Sequence, residues 1–96
     1  MFYNVTMNRN IIKELSKIIT DLKTSSDVEY FLTEIFTKNE LQILDKRWRI
    51  MKLLSEGKTQ RDIASELNVS LCKVTRGAKI LKDKNAITTQ ILTKGK

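Results

Sequence analysis

Ninety-six residues, 41% of them hydrophobic and 30% charged, make a single domain whose core is small for its surface. One cysteine excludes an intrachain disulfide, the lack of histidine excludes a conventional zinc cluster, and no apolar run is long enough for a membrane span. A net charge of +7, with no proline and three glycines, points to an all-α domain with an anionic partner.

The opening stretch MFYNVTMNRN has no charged segment followed by an apolar core, so a cytoplasmic protein without a secretory signal is expected. Residues 1–7 carry no period and read as an arm whose Phe2 and Tyr3 can pack on a neighbour. Asn8 or Asn10 can cap the first helix, in which Ile11, Ile12, Leu15, Ile18, Ile19 and Leu22 recur on one face. Ser26 with Glu29 forms a capping box for a second helix reaching about Phe36, with Val28, Phe31, Leu32 and Ile35 as its apolar side. Thr37 with Glu40 repeats the box and opens the longest helix, through Leu41, Leu44, Trp48, Met51 and Leu54 to a stop at Gly57.

Thr59 to Lys82 then has the pattern of a helix-turn-helix. Thr59 caps a helix opened by Gln60, Arg61 and Asp62, and Ile63, Ala64 and Leu67 form its buried stripe. Ala64 is small where two helices cross steeply, Asn68 suits a turn that needs positive φ, and Val69 plugs the corner. Ser70 caps the second helix. Val74 and Ile80 or Leu81 turn inward, while Leu71, Cys72, Lys73, Thr75 and Arg76 stay nearer the outer face, where a DNA groove could meet them. Ala86, Ile87, Ile91 and Leu92 suggest a short last helix, six in all.

Charge reinforces this pattern. Residues 1–45 hold five Lys/Arg against seven Asp/Glu, a net of −2, whereas residues 46–96 hold thirteen against four, a net of +9. A basic half coincident with the motif predicts phosphate binding that weakens steeply with salt. The first, second and last helices carry more apolar surface than a chain of this length can cover, so a homodimer is expected, with half-sites roughly 34 Å apart. No nucleophile with a partnered base, metal cluster or glycine-rich phosphate loop is present, so no catalytic or metal residue is assigned and no enzyme is expected. Cys72, a lone thiol at a helix start, reads as a small side chain rather than a redox sensor. A helical module that docks protein through the same motif is the alternative of another class.

Several segments resemble the bacterial tryptophan repressor family: Arg47 to Gly57 (RWRIMKLLSEG), Gln60 to Asp62 (QRD) and Val74 to Gly77 (VTRG). The match is good from about Phe36 to Lys82, and before that only helix positions and apolar pattern correspond. The resemblance implies a six-helix fold in an intertwined homodimer, with residues 1–57 supplying dimerisation helices and the long third helix, 59–82 the reading motif, and 86–94 a C-terminal dimerisation helix. It also implies a transcriptional repressor that binds a double-stranded DNA operator, with L-tryptophan or a related amino acid as corepressor. Contacts to DNA are then expected from Gln60, Arg61, Leu71, Cys72, Lys73 and Thr75, with Arg61 best shaped for guanine. Ligand contacts are expected from Arg47 and Arg76, which enclose the ring and hold the carboxylate, from Gly77, which leaves room beside the ring, and from Thr37 and the position of Ile80. The chain departs from the family at Ile80, where a hydroxyl that helps hold the ligand's amino group is absent, and at Lys73, where a threonine touches phosphate. It also lacks one residue between Gly57 and Thr59.

Overall fold

The computed structural model describes residues 5–94, which form six helices: α1 (Val5–Asp21), α2 (Ser25–Ile35), α3 (Lys38–Ser55), α4 (Gln60–Leu67), α5 (Leu71–Lys82) and α6 (Ile87–Lys94). Among these residues there is no strand, as the helical apolar periods require. The chain divides into two compact units, Met1–Lys38 and Asn39–Lys96.

In the first unit α1 begins at Val5, upstream of the caps expected at Asn8 or Asn10. Neither proline nor glycine stands between Val5 and Asn10, so nothing stops the helix from extending backwards. The remainder of the expected arm, with Phe2 and Tyr3, lies outside the described residues. Leu15, Ile19 and Leu22 are half-buried, while Ile11, Ile12 and Ile18 on the same stripe remain exposed.

The cap of α2 is Thr24 rather than Ser26. Thr24 is extended (φ −130°, ψ 155°), and its hydroxyl accepts the Asp27 N–H at 3.1 Å. Thr24 and Asp27 stand at the same spacing as Ser26 and Glu29, and the earlier cap places the Asp27 carboxylate in the first turn, where the helix dipole favours it. Phe36 closes α2 by donating its N–H to the Leu32 carbonyl at 3.0 Å. α2 buries none of its residues, and Tyr30 and Ile35 are exposed.

The second unit holds the core. α3 ends in a Schellman turn: Lys58 N–H reaches Leu53 O at 3.2 Å and Gly57 N–H reaches Leu54 O at 3.1 Å, with Gly57 at φ +92°. Ile63 of α4 and Val74 of α5 are fully buried against Ile50 of α3, and Leu53, Leu54, Ala64, Leu67 and Val69 pack around them. Ile50 is absent from the stripe expected of α3. Two members of that stripe, Leu44 and Trp48, are exposed, because the side facing α4 and α5 runs instead through Ile50, Met51 and Leu54.

α6 is anchored by a residue outside its expected apolar set. Thr89 is buried, and its hydroxyl donates at 3.0 Å to the Ile80 carbonyl, which also accepts the Asp83 N–H where α5 ends. Ala86 and Leu92 are half-buried, whereas Ile87 and Ile91 are exposed. No helix is long and apolar enough to cross a membrane, and no cluster of His, Cys, Asp and Glu among the described residues could hold a metal ion.

Candidate DNA-reading face and ligand cleft

α4 and α5 are positioned by short-range rules at each end. Thr59 accepts the Asp62 N–H at 3.1 Å to open α4, and Ser70 accepts the Lys73 N–H at 3.3 Å to open α5. Between them Asn68 takes the left-handed conformation (φ 54°, ψ 52°), and a second Schellman turn forms, Val69 N–H to Ala64 O at 3.0 Å and Asn68 N–H to Ser65 O at 3.3 Å. Lys58, just before α4, pairs with Glu66 on it at 2.8 Å. That hydrogen bond and the carboxylate charge raise the Lys58 pKa above its ordinary value, so the lysine's share of the pair is fully present at neutral pH and is lost as pH climbs past the usual lysine range. Both partners are exposed, and the pair is a brace of small energy.

This geometry leaves one face of the hairpin open. Arg61, Leu71, Cys72, Lys73 and Thr75 are exposed, and Gln60 is half-buried. Leu71, Cys72, Thr75, Arg76 and Lys79 line a shallow groove along α5. The Thr75 hydroxyl lies 2.9 Å from Gln60 Oε1 and 3.0 Å from the Leu71 carbonyl, so it ties the first residue of α4 to the second helix.

The adjoining side of α5 closes a cleft of about 260 Å³ with α3 and α6, with Arg76 on the border between groove and cleft. Leu44, Arg47, Trp48, Ile50 and Met51 come from α3, Lys73, Arg76, Gly77 and Ile80 from α5, and Thr88 from α6. That volume lies just below the usual range of small-molecule sites, about 300–1,000 Å³. Four expected ligand residues, Arg47, Arg76, Gly77 and Ile80, therefore share one cavity. Thr37 belongs to the first unit, between α2 and α3. Sequence reasoning overlooked Leu44, Trp48, Ile50, Met51, Lys73 and Thr88 as lining residues. Lys73 lies one turn from Arg76 and Gly77, a spacing that could have found it, whereas Trp48 directly follows Arg47 and nothing local marks Thr88.

Gly77 also has a packing role. A Cβ there would lie 3.0 Å from Ile50 Cγ2, 3.0 Å from Met51 Sδ and 3.3 Å from Leu54 Cδ1. Its missing side chain is what lets α5 settle onto α3, so the space beside it is filled largely by α3.

The described residues thus form an all-α fold of six helices, with a capped helix-turn-helix and, behind its second helix, a cleft lined by Arg47, Lys73 and Arg76. The family model "Trp repressor protein" matches residues 10–96, and the chain belongs to that family of transcriptional repressors. A "Trp operon repressor homolog" of Xylella fastidiosa (strain M23) is 40% identical over 72 residues, covering 74% of this chain and 78% of that protein. One of the same description from Chlamydia caviae is 32% identical over 76 residues, covering 78% and 75%. No solved structure gives a significant match.

Proposed function

We propose that the chain is a sequence-specific repressor that binds a double-stranded DNA operator as a homodimer and acts as a single domain of residues 1–96. The observation that carries this reading is the outer face of the hairpin, where Arg61, Lys73 and Thr75 stand exposed near the open ends of two capped helices in the basic half of the chain. Arg61 reads a guanine through O6 and N7, Gln60 offers its amide, Lys73 engages phosphate, and Leu71 and Cys72 contribute shape and thymine-methyl contacts. Uncovered apolar residues on α1, α2 and α6 support the dimer. Together with the names of its relatives, the cleft supports a small effector, of which L-tryptophan or a related amino acid is the first candidate. A second reading, a regulator that ignores amino acids, is favoured by Ile80, an aliphatic side chain where an ammonium would need an acceptor.

Anisotropy titrations of labelled duplexes at several salt concentrations test the first reading. Binding should weaken steeply with salt, and Arg61→Ala should lose about 1–3 kcal/mol of discrimination at one base pair while other positions are unaffected. Failure to bind any duplex at low salt would sink it and favour a protein-docking module.

A further inference from the structure

We infer that Thr75 is a positioning residue rather than a DNA contact: its hydroxyl holds the Gln60 carboxamide by the oxygen and leaves the Gln60 NH2 to meet an acceptor on the nucleic acid. The inference concerns the hairpin face of the repressor proposed above and rests on that reading. The Thr75 hydroxyl has a single hydrogen, and two acceptors inside the protein share it, Gln60 Oε1 at 2.9 Å and the Leu71 carbonyl at 3.0 Å. Neither oxygen can donate in return. Phosphate oxygens and the major-groove edge of guanine also only accept, so Thr75 can serve them only by releasing a bond it already makes.

The bond to Gln60 spans the motif. Gln60 is the first residue of α4 and Thr75 lies in the second turn of α5, 15 positions on, and among the described residues no other pair of side chains hydrogen-bonds α4 to α5. Both ends are anchored. The Thr59 cap fixes the first turn of α4 around Gln60, and the residue before Thr75 is the fully buried Val74. A glutamine side chain left free must give up rotamer freedom when it meets a partner, whereas one already held avoids most of that loss. Gln60 Nε2 makes no hydrogen bond to a described residue, and no buried side-chain nitrogen among those residues lacks a partner, so this group is open to solvent. Held by its oxygen, the carboxamide presents donors. That suits a phosphate, guanine or the O4 of thymine better than adenine, which needs a donor and an acceptor together.

The test uses the full chain and a duplex that it enriches from a randomised pool, titrated by anisotropy at low salt. Thr75→Val keeps the branched shape without the hydroxyl and should weaken binding by about two- to tenfold, whereas Thr75→Ser, which retains the hydroxyl, should stay within about twofold of the parent. In a Gln60→Ala background, Thr75→Val should change affinity by less than about twofold, because the group it acts through is gone. Additive losses in this cycle are what a direct contact from Thr75 gives, and they overturn the inference. A second readout needs no DNA. The NMR order parameter of the Gln60 side-chain NH2 should fall in Thr75→Val and hold in Thr75→Ser. An NH2 as mobile in the parent as in Thr75→Val overturns the inference and leaves the repressor reading intact. If the parent enriches no duplex at all, the repressor reading falls, and with it the contact from Gln60 to DNA.

Discussion

Asn68 sits at φ 54° and ψ 52°, where a Cβ crowds the following carbonyl oxygen and only glycine or a residue with a short amide is easily accommodated. Replacement by alanine should therefore destabilise the protein by about 1–2 kcal/mol, whereas glycine should stay within about 0.5 kcal/mol of the parent. Chemical denaturation of the two variants checks both signs. Gly77 is constrained from outside instead. Alanine is worth about 1 kcal/mol more than glycine in a helix, but overpacking a core costs about 1–3 kcal/mol. The Met51 sulfur can swing aside from a new Cβ, while Ile50 Cγ2 belongs to a β-branched side chain with little χ1 freedom in a helix. Gly77→Ala should lower stability by about 1 kcal/mol net, read as a drop in thermal midpoint.

At the scale of elements, the features legible in the sequence are those settled within a few residues. Thr59, Ser70 and Asn68 act as expected because caps and left-handed turns depend on local backbone geometry. The same locality misplaced the start of α2, since Thr24 and Ser26 both head a capping pattern and only the emerging helix chooses between them. Ile50 and Thr89 were missed for a different reason: which side of α3 faces the hairpin, and which α6 residue meets the end of α5, are set by packing between helices distant in sequence. Four of five expected ligand residues meet in one cavity because Arg76, Gly77 and Ile80 fall within about one turn of each other on α5 and Arg47 lines the same cavity from α3, but the participation of α6 through Thr88 had no local sign. Thr89→Val keeps the shape and removes the hydroxyl, leaving α6 without its bond to Ile80. The expected loss is about 1 kcal/mol, accompanied by faster hydrogen exchange across α6 than across α4.

For the whole molecule, charge and apolar surface divide the work between the units. The half from residue 46 onward carries the net positive charge and the open hairpin face, while α1 and α2 hold apolar side chains that the single chain leaves in water. Ile11 and Ile12, 52% and 62% exposed, are the sharpest test of the proposed dimer. In a monomer, aspartate at both positions would be harmless or would improve solubility. In a dimer built on α1, the double substitution should convert the species seen by sedimentation from two chains to one and weaken operator binding, because one reading head would then act alone.

The tight seat of Gly77 on α3 makes that point a fulcrum. Six residues separate it from Leu71, a lever arm of about 9 Å along the helix. Because α5 has almost no clearance there, with a Cβ position 3.0 Å from Ile50 and Met51, it can tilt on α3 more readily than it can slide. A tilt of about 10° about this seat would move the Leu71 end by about 1.6 Å and the buried Val74 by about 0.8 Å. A hydrogen bond to a base edge tolerates only a few tenths of an ångström, so a tilt of that size would be enough to bring the residues at the start of α5 into or out of register with DNA.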